Sequence, residues 1–124
     1  MSDKKKLWQI FTKYIKLRDK NTCFTCSKKA EGYGMGGGHY KPAGACGLDY
    51  YFSEINVNAQ CTYCNLTLQG DQVNYRGRLV RKYGEEKIKD IDLNYHKPCK
   101  WGKKDFQAKI AEYTEKLAKL TKIC

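Results

Sequence analysis

The chain has 124 residues, 41% of them hydrophobic, which is enough for one domain and too little for two independent cores. Its 24 Lys and Arg residues against 13 Asp and Glu residues give a formal net charge of +11, and such a surface attracts polyanions, nucleic acid above all. No run approaches the ~20 apolar residues of a membrane span, and no hydrophobic secretion signal follows the first residues. We therefore expect an intracellular protein without a membrane partner.

The first half of the chain predicts one helix followed by irregular and extended structure. Apolar residues at helical spacing predict an amphipathic helix over about 5–18. The glycine-rich stretch 32–38 excludes a regular helix and predicts turns or an irregular hairpin. The aromatic and β-branched residues of 50–52 and 55–57 predict short strands. A further helix is predicted from near Cys61 to about Gln69.

The second half predicts three helices. Gly70 and Asp71 indicate a stop and a new N-cap before a helix that ends near Gly84. A short helix follows over 85–93, and apolar residues four and three apart predict a last helix over 106–120, which we expect to pack within the chain. We therefore predict a single domain, 1–124, with an N-terminal helix (1–20), a core (21–70) and a helical C-terminal part (71–124).

Seven cysteines in a chain without an export signal favour metal binding over a disulfide framework. Four of them form two Cys-x-x-Cys pairs, Cys23 with Cys26 and Cys61 with Cys64, separated by 34 residues. This spacing lets four thiolates bind one zinc ion tetrahedrally in a closed, structural site. An iron–sulfur cluster stays open as an alternative, whereas a thioredoxin-like motif fits less well because it needs one pair between a strand and a helix.

A single histidine, His39, lies between the two cysteine pairs in the sequence Gly38-His39-Tyr40. A neutral imidazole, with a reference pKa of about 6.5, takes a proton from water near neutral pH and so generates a nucleophile. A zinc site would bring Asn56 and Asn65 into the same neighbourhood. We therefore predict that His39 is a catalytic base rather than an ordinary surface histidine.

This arrangement resembles the HNH, or ββα-metal, nucleases, in which a histidine ends the first strand, an asparagine lies on the second and a metal ligand opens the helix. Within that class the chain is similar to the phage lambda NinG (Rap) recombination family. The similar residues span nearly the full chain: Leu7-Trp8, the segment from Tyr14 to Asp19, Gly38-His39-Tyr40, the segment from Asn56 to Cys61, Cys64-Asn65, Gly70, Tyr75-Arg76, Gly84 and Lys100-Trp101.

The resemblance implies an α+β fold with a small zinc-stabilised, treble-clef-like HNH core and flanking N- and C-terminal helices. It implies a structure-selective endonuclease of homologous recombination that cuts branched DNA such as D-loops or Holliday junctions, as a homodimer if it cuts two strands symmetrically. By the same resemblance His39 is the general base, Asn56 braces the hairpin, and Asn65 holds Mg²⁺ or Mn²⁺. The four cysteines hold Zn²⁺.

Two positions depart from the family pattern. Gly38 stands where many HNH enzymes have Asp or His as a second metal ligand, and Asn58 stands where NinG relatives often have histidine. Because a hard divalent ion prefers oxygen ligands, other side chains are candidates for the missing ligand. They are Glu54, Asp49, Asp71 and Gln69.

Basic side chains around the motif are candidates for contacts with DNA phosphates, which position a duplex without reading its sequence. They are Arg76, Arg78, Arg81, Lys82, Lys16 and Arg18, with Lys13 as an extension. Tyr33, Tyr40, Tyr50 and Tyr51 either stack on unpaired bases or, as we favour, pack in the core.

Other interpretations of the sequence stay open in addition to the nuclease function. His96 and Cys99 are a weaker candidate for a second metal pair than the cysteine pairs are. The alternative functions are a non-catalytic zinc-dependent module that binds nucleic acid and, third, a zinc-supported adaptor for other proteins.

Overall fold

A computed structural model describes residues 1–123. Its helices are α1 (Asp3–Arg18), α2 (Leu48–Tyr51), α3 (Gln72–Tyr83), α4 (Glu85–Asn94) and α5 (Lys103–Ile123), and its strands are β1 (Met35–His39) and β2 (Val57–Cys61). A 3₁₀ turn, Gly32–Gly34, precedes β1, and one wide helical turn, Tyr63–Thr67, follows β2. The predicted α+β class is confirmed. Over the described range, no helix combines the length and the apolar character that crossing a membrane requires.

Helix α1 forms as its sequence predicts and begins two residues earlier. The Ser2 hydroxyl caps its first turn by accepting a hydrogen bond from the Lys5 N–H (3.2 Å). Leu7, Phe11 and Ile15 recur every four residues and are completely buried, so they make one continuous face. This face supplies much of the core beneath the hairpin.

Strands β1 and β2 form an antiparallel hairpin in which Gly36 pairs with Gln60, Gly38 with Asn58, and His39 with Val57. Of the stretch in which we expected turns or an irregular hairpin, Gly32 and Gly34 lie in a turn, whereas Gly36, Gly37 and Gly38 are regular strand. One reason lies at Gly37, where a Cβ would stand only 3.0 Å from Thr12 Cγ2 and 3.3 Å from the Trp8 ring. A side chain there would push α1 away from the sheet.

Two local predictions are wrong, and the strand expected over 55–57 holds only from Val57, where β2 begins. Residues 50–52 are not a strand, because Tyr51 and Phe52 donate backbone hydrogen bonds to Gly47 (2.8 Å) and Leu48 (3.1 Å) and so close a helical turn. That turn packs both rings against Trp8, a tertiary contact that overrides the strand propensity of aromatic residues.

The helix expected from Cys61 is also shorter than predicted, since Cys61 ends β2 and only Tyr63–Thr67 is helical. Asp71 precedes α3, but its backbone is left-handed (φ 51°) and its side chain caps no N–H. Its carboxylate instead accepts a hydrogen bond from the Asn74 amide (3.1 Å).

The core consists of two clusters on either side of the hairpin. In the first, α5 lies along α1, and the ring of Tyr113 meets Phe11 edge-on at 4.8 Å. The expected packing of the last helix within the chain is thereby confirmed. The second cluster joins α3 and α4 to the residue after β1 and consists of Tyr40, Tyr75, Leu79, Ile88 and Ile91.

Candidate metal centre and hairpin site

The sulfur atoms of Cys23, Cys26, Cys61 and Cys64 all lie within 4.8 Å of one another. Cys26 is exposed and the other three are buried. Among residues 1–123, this is the one group of three or more metal-ligating side chains so arranged. The four cysteines are therefore positioned to bind a metal ion, as their spacing predicts.

Local backbone structure brings the sulfurs together from three segments. The first pair lies in a tight turn after α1, where the Cys23 N–H donates to the Lys28 carbonyl (2.8 Å) and the Ser27 N–H donates to the Cys23 carbonyl (2.9 Å). Cys61 ends β2, and Cys64 lies in the wide turn that follows. A metal ion bound by all four would therefore join the end of the hairpin to the segment after α1.

The thiols differ in how readily they ionise. Burial opposes ionisation of Cys23, but hydrogen bonds from the Thr25 hydroxyl and from backbone N–H groups outweigh it and lower its pKa to about 6. Burial raises the pKa of Cys64 to about 12. A set of four thiols that includes a stable thiolate suits a soft, tetrahedrally coordinated cation.

His39 ends β1 with its ring fixed on two sides. The ring stacks on Trp8, with centroids 5.0 Å apart and planes 13° from parallel. Its Nε2 lies 2.9 Å from the Tyr51 carbonyl oxygen, which only accepts, so Nε2 carries the hydrogen. In the neutral ring Nδ1 is then a free acceptor. Burial above all, together with the charge of Lys4, lowers the pKa of His39 below its usual 6.5, although the Tyr51 hydrogen bond opposes this.

Asn56 is completely buried and closes the loop between the strands. Its Oδ1 accepts the Lys41 N–H (2.8 Å), and its Nδ2 donates to the carbonyls of Tyr50 (3.0 Å) and Lys41 (3.3 Å). These bonds hold the backbone next to the Tyr51 carbonyl that orients His39. The role in bracing the hairpin, implied by resemblance, stays a prediction, but the geometry suits it.

Asn65 lies in the wide turn after β2 and lines a groove of about 660 Å³ between α1 and the hairpin. Gly36, Gly37, Gln60 and Trp8 also line it. His39 is not among the lining residues, but the Trp8 ring that forms part of the wall stacks on it. The structure therefore brings Asn65 and His39 to opposite ends of β1, with Trp8 next to both the groove and the histidine.

Gln60 is a completely buried residue of the site that sequence reasoning missed. Its Nε2 donates to the Thr25 hydroxyl (3.1 Å) and to the Gly70 carbonyl (2.9 Å), whereas its Oε1 has no hydrogen-bond partner. An unpaired buried oxygen costs about 1–3 kcal/mol. The sequence contains one signal for this residue, namely a glutamine directly before the second cysteine pair. A buried strand position ordinarily carries an apolar side chain, so a polar one there indicates a specific role.

A second buried network reaches the backbone next to His39. The Tyr75 hydroxyl donates to the Gly38 carbonyl (2.7 Å) and accepts from Asn58 Nδ2 (3.0 Å). Arg18 Nη2 in turn donates to Asn58 Oδ1 (3.0 Å). Asn58 therefore links α1 and α3 to the hairpin.

Two of the predicted DNA contacts have structural partners instead. Arg18 pairs with Asp19 (2.8 Å) and donates to the Glu54 carbonyl (2.8 Å), in addition to its bond to Asn58. Arg76 forms ion pairs with Glu85 (2.8 Å) and Asp92 (2.9 Å), and the hydrogen bonds to these two carboxylates raise its pKa. Both guanidinium groups are thereby held by carboxylates of the chain itself.

Three of the other predicted basic residues lie together at one cleft. Arg78, Arg81 and Lys82 line a cleft of about 470 Å³ beside the first cysteine pair. Arg81 and Lys82 are exposed, whereas Arg78 donates to the Ser27 hydroxyl (3.2 Å). Lys16 lines the groove that contains Asn65.

The side chains proposed from sequence for the missing metal ligand lie elsewhere or have other partners. Glu54 accepts hydrogen bonds from Tyr14, Tyr113 and Lys116, each 2.9 Å long, and so ties α1 to α5. The carboxylates of Asp49 and Asp71 accept from the Tyr50 N–H and from Asn74. Gln69 is exposed in a left-handed turn (φ 52°). None of the four lines the groove with Asn65.

His96 and Cys99 share a surface cleft with Cys46. They form no group of three metal-suited ligands within the described part of the chain.

Fold and site together define a small α+β protein whose glycine-rich hairpin is fastened to a four-cysteine site suited to a metal ion. The model of the bacteriophage lambda NinG protein family matches residues 2–123, and the chain belongs to this family. The resemblance to the NinG family inferred from sequence is thus confirmed.

Individual relatives agree with this family. "Protein ninG" of Escherichia phage lambda is 31% identical over 117 residues, which cover 94% of this chain and 56% of that protein. "Protein ninG" of Escherichia phage 933W is 30% identical over 117 residues, 94% of this chain and 57% of that protein. "Protein ninG" of Salmonella phage P22 is also 30% identical over 117 residues, which cover 94% of this chain and 56% of that protein. The chain thus spans little more than half the length of these relatives. No solved structure matches it.

The cysteine cluster makes a first prediction. The parent protein should contain one bound metal ion per chain, and Cys61→Ser should lose it together with cooperative thermal unfolding, because Cys61 is buried and ends β2. Metal analysis and circular dichroism melts measure both. Cys46→Ser, outside the cluster, is the matched control and should behave like the parent. Full metal content and an unchanged Tm in Cys61→Ser would contradict the assignment.

The environment of His39 makes a second prediction. NMR titration of the imidazole Cε1 resonance should give a pKa below 6.5, and Trp8→Ala should raise it by exposing the ring. Since the unfolded chain binds this proton more tightly, the contribution of His39 to stability is present above about pH 6.5 and is lost as the pH falls through the folded-state pKa. A pKa of 6.5 or higher in the folded protein would refute this account of the ring's surroundings.

Proposed function

We propose that this protein is a metal-dependent endonuclease that hydrolyses phosphodiester bonds in DNA, with His39 as its general base. The observation that carries the proposal is the fixed orientation of His39, whose Nε2–H donates to the Tyr51 carbonyl and leaves Nδ1 free. A depressed pKa keeps the ring neutral, and so able to accept a proton, at neutral pH.

The arrangement around His39 supports membership of the HNH class. His39 ends the first strand, Asn56 precedes the second strand and closes the loop between them, and Asn65 lies in the helical turn that follows. The position of His39 matches that of the general base in the pattern that the sequence resembles. Asn56 lies one residue before the second strand rather than on it, and Asn65 lies within the helical turn rather than at its start.

The proposed reaction uses the residues in separate roles. His39 Nδ1 takes a proton from a water molecule, which attacks phosphorus and displaces the 3′ oxygen. The bonds from Asn56 to Tyr50 and Lys41 hold the loop that orients the histidine. A divalent cation, Mg²⁺ or Mn²⁺, bound beside Asn65 would stabilise the charge on the leaving oxygen.

The four cysteines are proposed to hold Zn²⁺, because four thiolates from two Cys-x-x-Cys pairs match its tetrahedral preference. A site with four protein ligands has no open position, so its role is to hold the hairpin in place rather than to activate water.

DNA is the proposed partner because the chain carries a net charge of +11 and the exposed Arg81 and Lys82 lie at an open cleft. Membership of a family that the sequence links to phage recombination favours branched DNA, such as D-loops or Holliday junctions, as the substrate. Symmetrical cutting of two strands would need two copies of the chain.

One observation favours the non-catalytic alternative, a zinc-dependent module that binds nucleic acid without cutting it. No carboxylate belongs to the residues that line the groove around Asn65, and Gly38 offers no side chain. Hard cations bind carboxylate oxygens best, so the metal site is weaker than in an acid-rich nuclease.

Cleavage assays separate the two functions. With Mg²⁺ or Mn²⁺, the parent should cut four-way junction or D-loop DNA faster than linear duplex. His39→Ala should lower the rate by about 10²–10⁴-fold, the contribution of a general base, while leaving the Kd for DNA unchanged. His96→Ala, which alters the other histidine, is the matched control and should cut normally. Equal rates for parent and His39→Ala would remove the histidine from catalysis.

The exposed cleft makes a separate prediction about binding. Arg81→Gln combined with Lys82→Gln should weaken DNA binding and reduce the slope of log K against log salt by about 2, because each lost phosphate contact contributes about 0.9. Fluorescence anisotropy over a salt series measures this. Lys119→Gln combined with Lys122→Gln removes the same charge from the exposed end of α5 and should change the slope less. Equal slopes for the two double variants would show that the cleft holds no phosphate.

A further inference from the structure

Tyr33 is an aromatic residue that the fold holds in solvent. Its side chain is completely exposed, so the core packing that the sequence favoured for it is wrong. The backbone next to the ring is nevertheless fixed, because the Thr62 hydroxyl donates to the Tyr33 carbonyl (2.8 Å) and the Gly34 N–H donates to the Glu31 carbonyl (3.1 Å). One exposed ring is ordinary by itself, and its meaning depends on the surface beside it.

Beside Tyr33 lies the groove of about 660 Å³ between α1 and the hairpin, and this tyrosine forms part of its lining. Gly36 lines the groove without a side chain, and a Cβ there would have Asn65 Nδ2, 4.0 Å away, as its nearest neighbour. The space next to this glycine is therefore open. Trp8, which stacks on His39, forms another part of the wall. The groove thus extends from an exposed aromatic ring to the residue that packs on the proposed general base.

The polar groups of the groove suit an anion that also has neutral hydrogen-bonding edges. In the described chain, Lys16 is the one charged side chain of its lining, which includes no carboxylate. Within residues 1–123, the Lys16 ammonium has a single polar contact, a long hydrogen bond to the Gly32 carbonyl (3.4 Å), and so keeps donors for another acceptor. Gln9 and Asn65 add neutral amides. A cation, amides and aromatic rings match the phosphate, the base edges and the base face of a nucleotide.

We infer that this groove binds an unpaired nucleotide of a DNA strand, with the base stacked on Tyr33 and the phosphate at Lys16. This inference rests on the proposed action on DNA, and it names the feature of a branched substrate that the protein recognises. Bases inside a duplex are covered on both faces by their neighbours, whereas a D-loop contains a displaced single strand. Because every base has a π-face, stacking selects unpaired strands without reading their sequence.

Binding to short DNA tests the role of Tyr33 without relying on cleavage. A labelled oligothymidylate and a duplex of equal length are titrated with the metal-loaded protein, without added Mg²⁺ or Mn²⁺, and fluorescence anisotropy gives each Kd. Tyr33→Ala should weaken binding of the single strand by about fivefold or more, the effect of losing one stacked base, and should change duplex binding by less than about twofold. Tyr33→Phe keeps the ring and should bind like the parent, whereas Tyr33→Leu should resemble Tyr33→Ala.

Further variants separate the groove from the rest of the surface. Tyr63→Ala removes an exposed ring that does not line the groove, and it should bind the single strand like the parent. Lys16→Gln should reduce the slope of log K against log salt for the single strand by about 0.7, the share of one phosphate contact. Lys6→Gln removes the same charge from an exposed position of α1 outside the groove and should reduce this slope less.

The outcomes distinguish this inference from the function on which it rests. Selective loss of single-strand binding in Tyr33→Ala and Tyr33→Leu, with retention in Tyr33→Phe, supports the groove as a nucleotide site. The same selective loss in a protein that cuts no DNA keeps the site and favours the non-catalytic alternative. Parent-like binding of the single strand by Tyr33→Ala, or an equal loss for the duplex, overturns the inference, and a parent that cuts junction DNA in that case leaves the nuclease proposal standing. A parent that binds neither form of DNA overturns both.

Discussion

The convergence of four cysteine sulfurs within 4.8 Å is the constraint on which the other features of the hairpin depend. Two of them come from the turn after α1, one from the end of β2 and one from the turn beyond it, so a metal ion bound by all four would keep these segments together. A two-stranded sheet is only marginally stable by itself. The Asn56 hydrogen bonds hold one end of this sheet in place, and a metal ion at the four cysteines would hold the other.

Between those two ends, the glycines of β1 have no side chains, so neighbouring residues pack closely against both faces of the strand. Gly37 lets Trp8 and Thr12 of α1 approach one face, and Gly38 leaves room for Gln60 on the other. The close approach of Trp8 has a chemical consequence, because its ring stacks on His39 and contributes to the burial that lowers the pKa of the imidazole. Glycine residues weaken a strand. In β1, however, Gly37 allows the close approach of the Trp8 ring, and this ring stacks on His39.

The excess of positive charge is divided between structure and surface. Arg18 and Arg76 are bound to carboxylates and carbonyls of the chain, and Arg18 also supports Asn58 beneath the hairpin. Arg81 and Lys82 extend into an open cleft. Basic side chains therefore stabilise the fold at Arg18 and Arg76, whereas at the cleft they are exposed and could bind a polyanion. The difference depends on which carboxylates the fold brings near each side chain.

The sequence by itself predicted the cysteine cluster and the long helices, because cysteine spacing and helical repeats of apolar residues are local patterns with few structural solutions. The α+β class and the family followed instead from the resemblance of residues spread along the chain. The position of His39 between the pairs also made it a candidate. Only the tertiary structure decided that residues 50–52 form a helical turn, which presents the Tyr51 carbonyl to His39. It also decided the partners of Glu54 and of Gln60, since these depend on helices and turns that are distant along the chain. Hydrogen bonds across 59 residues, such as that from Tyr113 to Glu54, follow from packing and leave no local signal in the order of the amino acids.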